Sequence, residues 1–276
     1  MSRLKRIFDF YINSSIHVAL AVYAMSWLTL LQFDLVYDKH VLYFVFFATI
    51  TGYNFVKYFG LAKLYHRSLA RWLKVIQVFS MLCFAALCFY AYKLNLQTLI
   101  SVGIFGLATF LYAVPVLPKK IFLDKQHNLR SISGLKIYII ALVWTGVTVF
   151  LPLINANYAI SDDVILTALQ RFLFVIVLMF PFEIRDLNYD SLKLATVPQQ
   201  IGMKRTKLIG VVLLLFYFLL EFLKDDINNS RIIILGVVTL ITMLFLAFSN
   251  TKRPMFYSSF FVEAIPIVWL LLSLIF

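Results

Sequence analysis

The stretch PFEIRDLNYDSLKLATVPQQIG, residues 181–202, lies between two long apolar runs at 164–180 and 208–220. Read as helices, the first run continuing past Pro181 brings Asp186 and Asp190, four residues apart, onto one face, and Glu183 joins them three residues earlier. Acids at the mouth of a hydrophobic helix are costly to hold there unless they bind something. Paired Asp oxygens are what Mg²⁺ takes when it also carries substrate phosphates. Lys193, Lys204, Arg205 and Lys207 follow at once. Carboxylates for a metal, with ammonium and guanidinium groups beside them, have the chemistry of a diphosphate site.

Around this stretch the chain is built for lipid. Of its residues 62% are hydrophobic and only 14% charged, with a mean hydropathy of +0.90, whereas a soluble domain is near half apolar and a quarter charged. Apolar runs at 10–31, 41–60, 72–92, 97–117, 135–153, 164–184, 208–224, 231–249 and 256–276 predict nine transmembrane helices in a single polytopic domain, 1–276. The first run is too long for a cleaved leader and carries Asp9, Asn13 and His17, so it reads as a retained span with a polar stripe at i, i+4, i+8. That stripe either hydrogen-bonds within the bundle or lines a polar cavity.

The charges set an orientation. With nine alternating spans, 20 of the 25 basic residues fall on the side of the N-terminus and of Asp186. The positive-inside rule predicts that this side is cytoplasmic and the C-terminus outside, in the inner membrane if the cell is bacterial. The same asymmetry accounts for the net charge of +12 without nucleic acid as a partner. Cys83 and Cys88, at i, i+5, cannot pair across one helix, and the four histidines have no ligand spacing, which argues against haem and zinc.

Asp186, Asp190, Thr196, Pro198 and Gly202 together resemble the second Asp-rich motif of the UbiA superfamily of intramembrane prenyltransferases, Asp-x-x-x-Asp followed by a Thr-x-Pro-like segment and a glycine. That family's first motif, Asn-Asp-x-x-Asp-x-x-x-Asp, falls at the end of the second span. Here Asn54 fits the Asn, but Phe55, Tyr58 and Ala62 stand where the acids belong, with Lys57 among them. Its Tyr-Ser-x-Pro-Pro-x-Arg-x-Lys segment finds Tyr112, Pro115 and Lys120, with Ala113, Val116 and Pro118 as departures. The segment 131–153, a Gly before a long apolar span, is similar to the family's fifth helix. The resemblance implies two four-helix units plus a ninth helix, each unit ending in a polar motif on one membrane side.

It also implies an activity: transfer of an isoprenyl group from a polyprenyl diphosphate to a small-molecule acceptor, often aromatic, with Mg²⁺ as cofactor. Asp186 and Asp190 would hold the metal, and Lys57 would replace the lost metal site as a phosphate counter-ion. Asn54, Tyr58, Tyr112, Lys120, Lys204 and Arg205 would face the substrates. Lys57 has a second reading as an interfacial anchor. Glu263, about seven residues into the ninth span, faces a cavity or a partner cation. The rivals are a non-catalytic UbiA-fold protein that binds lipid or assists another protein, and a transporter, disfavoured because the charges cluster at one face rather than at mid-membrane.

Overall fold

The structure, a computed structural model, describes residues 3–64, 71–113, 134–188 and 195–276, with no strand among them. Helices α1 (Arg3–Asn13) and α2 (Ile16–Gln32) are followed by α3 (Lys39–Leu64), α4 (Arg71–Ala91) and α5 (Leu96–Ala113). Then α6 (Lys136–Thr145) runs through a π turn, Gly146–Phe150, into α7 (Leu151–Asn155). The long α8 (Asp162–Asp186), the short α9 (Val197–Ile201) and α10 (Met203–Leu219) come next. Finally α11 (Asn229–Phe248) leads through a second π turn, Tyr257–Val262, into α12 (Ile265–Ile275).

Six of these helical stretches are long and apolar enough to cross a bilayer: Trp72–Ala91, Lys136–Asn155, Asp162–Asp186, Met203–Leu223, Asn229–Phe248 and Tyr257–Ile275. The bent pair α1 and α2 makes a seventh. The protein is an integral, multi-pass membrane protein. The expected count of nine is not reached among the described residues; Lys39–Leu64 and Leu96–Ala113 occupy the places of the other two runs, each ending against residues outside the description.

Helix α8 is the axis of the bundle, with α6, α10 and α11 packed around it, and α2 lies against α3 and α12. Ser161 caps it by accepting from the Val164 N–H at 3.4 Å, and Asp162 and Asp163 in its first turn complement the helix dipole. At its centre Phe174 stacks on Tyr217 at 5.4 Å and meets Trp269 edge-on at 5.5 Å, joining α8, α10 and α12. Pro181 sits inside the helix without ending it, so Glu183 and Asp186 are helical residues, as the sequence suggested. Helix α4, by contrast, turns Val75, Val78, Met81, Leu82 and Phe84 outward, an apolar face suited to lipid. Gly210 lets α10 approach closely, because a Cβ there would run into Leu246 and Phe180.

The first span departs from expectation. The helix breaks at Ser14 and Ser15, with Ser15 at φ 64°, and α1 is bent 55° from α2. A pair of small hydroxyl residues inside a helix is a usual place for a kink. Asp9, Asn13 and His17 therefore do not form one continuous helical stripe. His17 instead donates from Nε2 to the Phe260 carbonyl at 2.8 Å, and its Nδ1 joins Tyr11 Oη at 2.7 Å.

At the end of the bundle opposite Asp186, Lys224 donates to Glu221 at 2.8 Å with both side chains buried, and Gln170 donates to the same carboxylate at 3.0 Å. Removing one member of a buried pair strands the other charge, at about 3–5 kcal/mol, whereas removing both does not. Glu221→Gln is expected to lower the unfolding free energy in detergent by about 3 kcal/mol or more, and Glu221→Leu with Lys224→Met to recover most of that loss. Denaturant titration of the three proteins checks it; a double variant no better than the single one would show that the pair is not what holds this end.

Candidate active site

The site is built where α1 turns into α2. Asn54, buried on α3, donates to the Ser14 carbonyl at 3.0 Å and to Ser80 Oγ at 2.8 Å, and accepts from Ser15 Oγ at 2.8 Å. One turn on, Lys57 donates to Ser15 Oγ at 3.0 Å, and Tyr58 donates to the Asn13 carbonyl at 2.8 Å. Three residues from the region of the first motif thus hold one corner. A break in a helix leaves backbone carbonyls without partners, and these side chains supply them. Lys57 is exposed along its length, yet its ammonium turns onto Ser15.

The other wall comes from the end of α8. Arg185 grips Asp186 with two parallel bonds, Nε to Oδ1 at 2.6 Å and Nη2 to Oδ2 at 2.7 Å. Its Nη1 donates to Ser258 Oγ at 2.6 Å, in the π turn that leads into α12. Glu263, five residues further, has both Lys57 and Arg185 as electrostatic neighbours. Lys57 on α3 and Arg185 on α8 are held by Ser15 and by Asp186 with Ser258, and neither makes an ion pair with Glu263 among the described contacts. Phe8 of α1 rests on Phe256 and Phe260, at 5.1 and 5.2 Å, so α1 lies beside the same group.

The remaining sequence-predicted residues separate. Lys204 and Arg205 are exposed on the first turn of α10. Tyr112's side chain, Lys120 and Asp190 lie outside the described residues. Glu183 is buried and accepts from the Val197 N–H at 3.2 Å, tying α8 to α9. Gln199 Oε1 accepts from the Thr196 N–H at 3.0 Å to start α9, and Gly202, at φ 82°, makes the left-handed joint into α10. The segment after Asp186 is thus partly a folding device.

Among the described residues no group of three or more carboxylate, histidine or cysteine side chains converges as a metal site. The carboxylate expected to lead the Mg²⁺ site, Asp186, has both oxygens on Arg185. The first-motif positions supply no acid. The described residues therefore do not fit a magnesium site as they stand. Sequence reading passed over Ser15, Ser258 and the pairing of Arg185; the only signals were the Ser-Ser pair in an apolar run and a basic residue adjacent to the key Asp.

No family model and no curated protein matches the chain by sequence. Its structure is similar to a solved structure of digeranylgeranylglyceryl phosphate synthase, with a TM-score of 0.58, 14% identity and 98% of each chain covered. It is also similar to a UbiA homolog from Archaeoglobus fulgidus, with a TM-score of 0.50, 11% identity, and 97% of this chain and 98% of that one covered. The chain has a UbiA-like fold. Full coverage in both directions means that the likeness is to the whole bundle and not to a helical fragment. The UbiA-like helical fold expected from Asp186 and its neighbours is observed, without the expected count of nine spans among the described residues.

If Asn54 holds the α1–α2 corner, Asn54→Ala should remove three hydrogen bonds and cost about 2–4 kcal/mol of stability. Limited proteolysis should then cut near Ser14 faster than in the unaltered protein. Unchanged stability and cutting would show that the corner is held elsewhere.

Proposed function

We propose that the protein is a membrane-embedded prenyltransferase, which moves an isoprenyl group from a polyprenyl diphosphate to a small-molecule acceptor. The observation that carries this reading is the placing of Lys57 on α3, over Ser15, and Arg185 on α8, over Asp186 and Ser258, at the Asp186 end of a UbiA-like bundle. In this reading that end faces the cytoplasm, the side that the positive-inside rule favours for the basic loops. Digeranylgeranylglyceryl phosphate synthase, to which the fold is similar, is named for a prenylated product.

Ionising an allylic C–O bond needs the departing diphosphate to be met by positive charge already in place. Lys57 and Arg185 offer it at the described site, and Lys204 and Arg205 add exposed cations on the first turn of α10. Apolar helices around the site keep water from the cation that forms, and the prenyl chain lies among them. In this reading Mg²⁺ at Asp186 and Asp190 would neutralise the diphosphate further. It would have to compete with Arg185 for Asp186.

A second reading follows from the same contacts. Asn54, Lys57 and Tyr58 are spent on the corner and Asp186 on Arg185, as in a UbiA-fold protein that binds a prenyl lipid without turning it over.

The test uses protein purified in detergent and geranylgeranyl diphosphate. Binding should raise the unfolding temperature, and Lys57→Ala should weaken binding by about 1–3 kcal/mol, the range for a charge-assisted hydrogen bond. Release of diphosphate in the presence of an aromatic acceptor decides for the enzyme over the binder. No shift with any prenyl diphosphate would exclude both.

A further inference from the structure

We infer that the cavity at the end of the bundle opposite Asp186 binds the zwitterionic headgroup of a phospholipid, an ammonium tethered to a phosphate as in phosphatidylethanolamine. The site stands apart from the chemistry at the Asp186 end and would serve a transferase and a binding protein alike.

The turn after α2, the approach to α8 and the link from α10 to α11 enclose a cavity of about 140 Å³, roughly ten times what one water needs. Both signs of charge line it, Lys224 and Arg231 against Asp34, Asp163 and Asp226. Lys224 donates to Glu221 at 2.8 Å and Arg231 to the Gln32 carbonyl at 3.3 Å, and an ammonium and a guanidinium keep further N–H donors after one bond each. Asp163 accepts from the Asp225 N–H at 3.2 Å. Among the described residues none of the three aspartates forms an ion pair with either cation. Opposite charges held around one cavity without closing on each other leave both signs on offer to a ligand. Two further atoms of the lining point the same way. Thr167 Oγ1 and Gln32 Oε1 are buried without a hydrogen-bond partner, and Thr167 is only 3% exposed. A buried polar atom left so costs stability until something meets it.

Depth orders these groups as the headgroup orders its own. Lys224 is buried and follows directly on the span Met203–Leu223, and Arg231 is the third residue of α11, so both stand at the level of lipid phosphates. Asp34 and Asp226 lie exposed on the rim, past the helix ends. In phosphatidylethanolamine the phosphate sits next to the glycerol, and the ammonium lies beyond it toward water. The phosphate then meets Lys224 and the planar fork of Arg231, and the ammonium meets the rim carboxylates and Gln32 Oε1. Phe222 and Leu223, exposed beside Lys224, offer the acyl chains an apolar path. Three carboxylates against two cations turn away a lipid that carries only negative charge. A choline headgroup has no N–H to donate to them.

The experiment is thermal unfolding of the whole chain in detergent, followed by tryptophan fluorescence, with phosphatidylethanolamine, phosphatidylcholine or phosphatidylglycerol of one acyl composition added at equal mole fraction. Phosphatidylethanolamine should raise the unfolding temperature by about 3 °C or more, and the other two by less than about 1 °C. Free phosphoethanolamine at the same concentration, the headgroup without its chains, should also give less than about 1 °C. Thr167→Val removes the unpartnered hydroxyl at nearly constant shape. Without lipid that variant should unfold no lower than the unaltered protein, and its rise with phosphatidylethanolamine should fall by about half. Arg231→Gln should abolish the preference among the three lipids. Equal shifts with all three, or none, overturn the inference, and they are read on the unaltered protein, so they decide it even if a variant fails to fold. A full shift with free phosphoethanolamine overturns the lipid assignment and gives the cavity to a soluble zwitterion. An Arg231→Gln protein that folds and keeps the preference also overturns the inference.

Discussion

A charge inside a bilayer must meet an opposite charge or a dense set of hydrogen bonds, because neither water nor lipid tails will take its field. This chain meets that constraint at both ends of its bundle. Away from Asp186, Lys224 and Glu221 pair in the interior, with Gln170 on the same carboxylate. At the other end Arg185 covers Asp186 and donates to Ser258, and Lys57 donates to Ser15. Between these levels stand aromatic rings, Phe174, Tyr217 and Trp269, with the guanidinium of Arg171 over Trp269 at 5.0 Å. Polar chemistry at the ends and aromatic packing in the middle are what let a mostly apolar sequence adopt one arrangement of helices.

The fold is similar to that of digeranylgeranylglyceryl phosphate synthase, while the polar groups at its Asp186 end have a different logic. Where the family resemblance leads one to expect carboxylates facing each other across a cavity, the structure has cations, hydroxyls and a helix corner. Lys57 illustrates the exchange. It occupies the register of a metal motif, and its bond to Ser15 makes it part of the joint that sets α1 beside the site. The same side chain can brace the empty protein and meet an anion, which ties stability to ligand binding through mass action.

Much of this was legible from the residues. Hydropathy placed the runs, and the Asp186 stretch pointed to the right fold through a handful of positions, since a polar segment between two apolar helices admits few explanations. Glu263 declared itself as an acid within a span. The rest was hidden for physical reasons. The α1–α2 break depends on Ser15 entering the left-handed region, which no hydropathy window registers. The pairing of Arg185 with Asp186 depends on how the last turn of α8 directs two neighbouring side chains, and adjacent residues on a helix do not ordinarily face one another. Glu221 and Lys224 fall at the end of the 208–224 run with nothing in the pattern to pair them; the interior pairing appears only once α8 brings Gln170 to them.

The central claim is that Lys57, in the register of the lost metal motif, and Ser15, at the α1–α2 break, belong to one polar corner. A double-mutant cycle on unfolding in detergent, with Lys57→Met, Ser15→Ala and the two combined, tests it most directly. The account predicts a coupling free energy of about 1 kcal/mol or more, with the double variant less damaged than the sum of the single ones. Additivity within about 0.5 kcal/mol would mean that the two residues do not interact, and would contradict it.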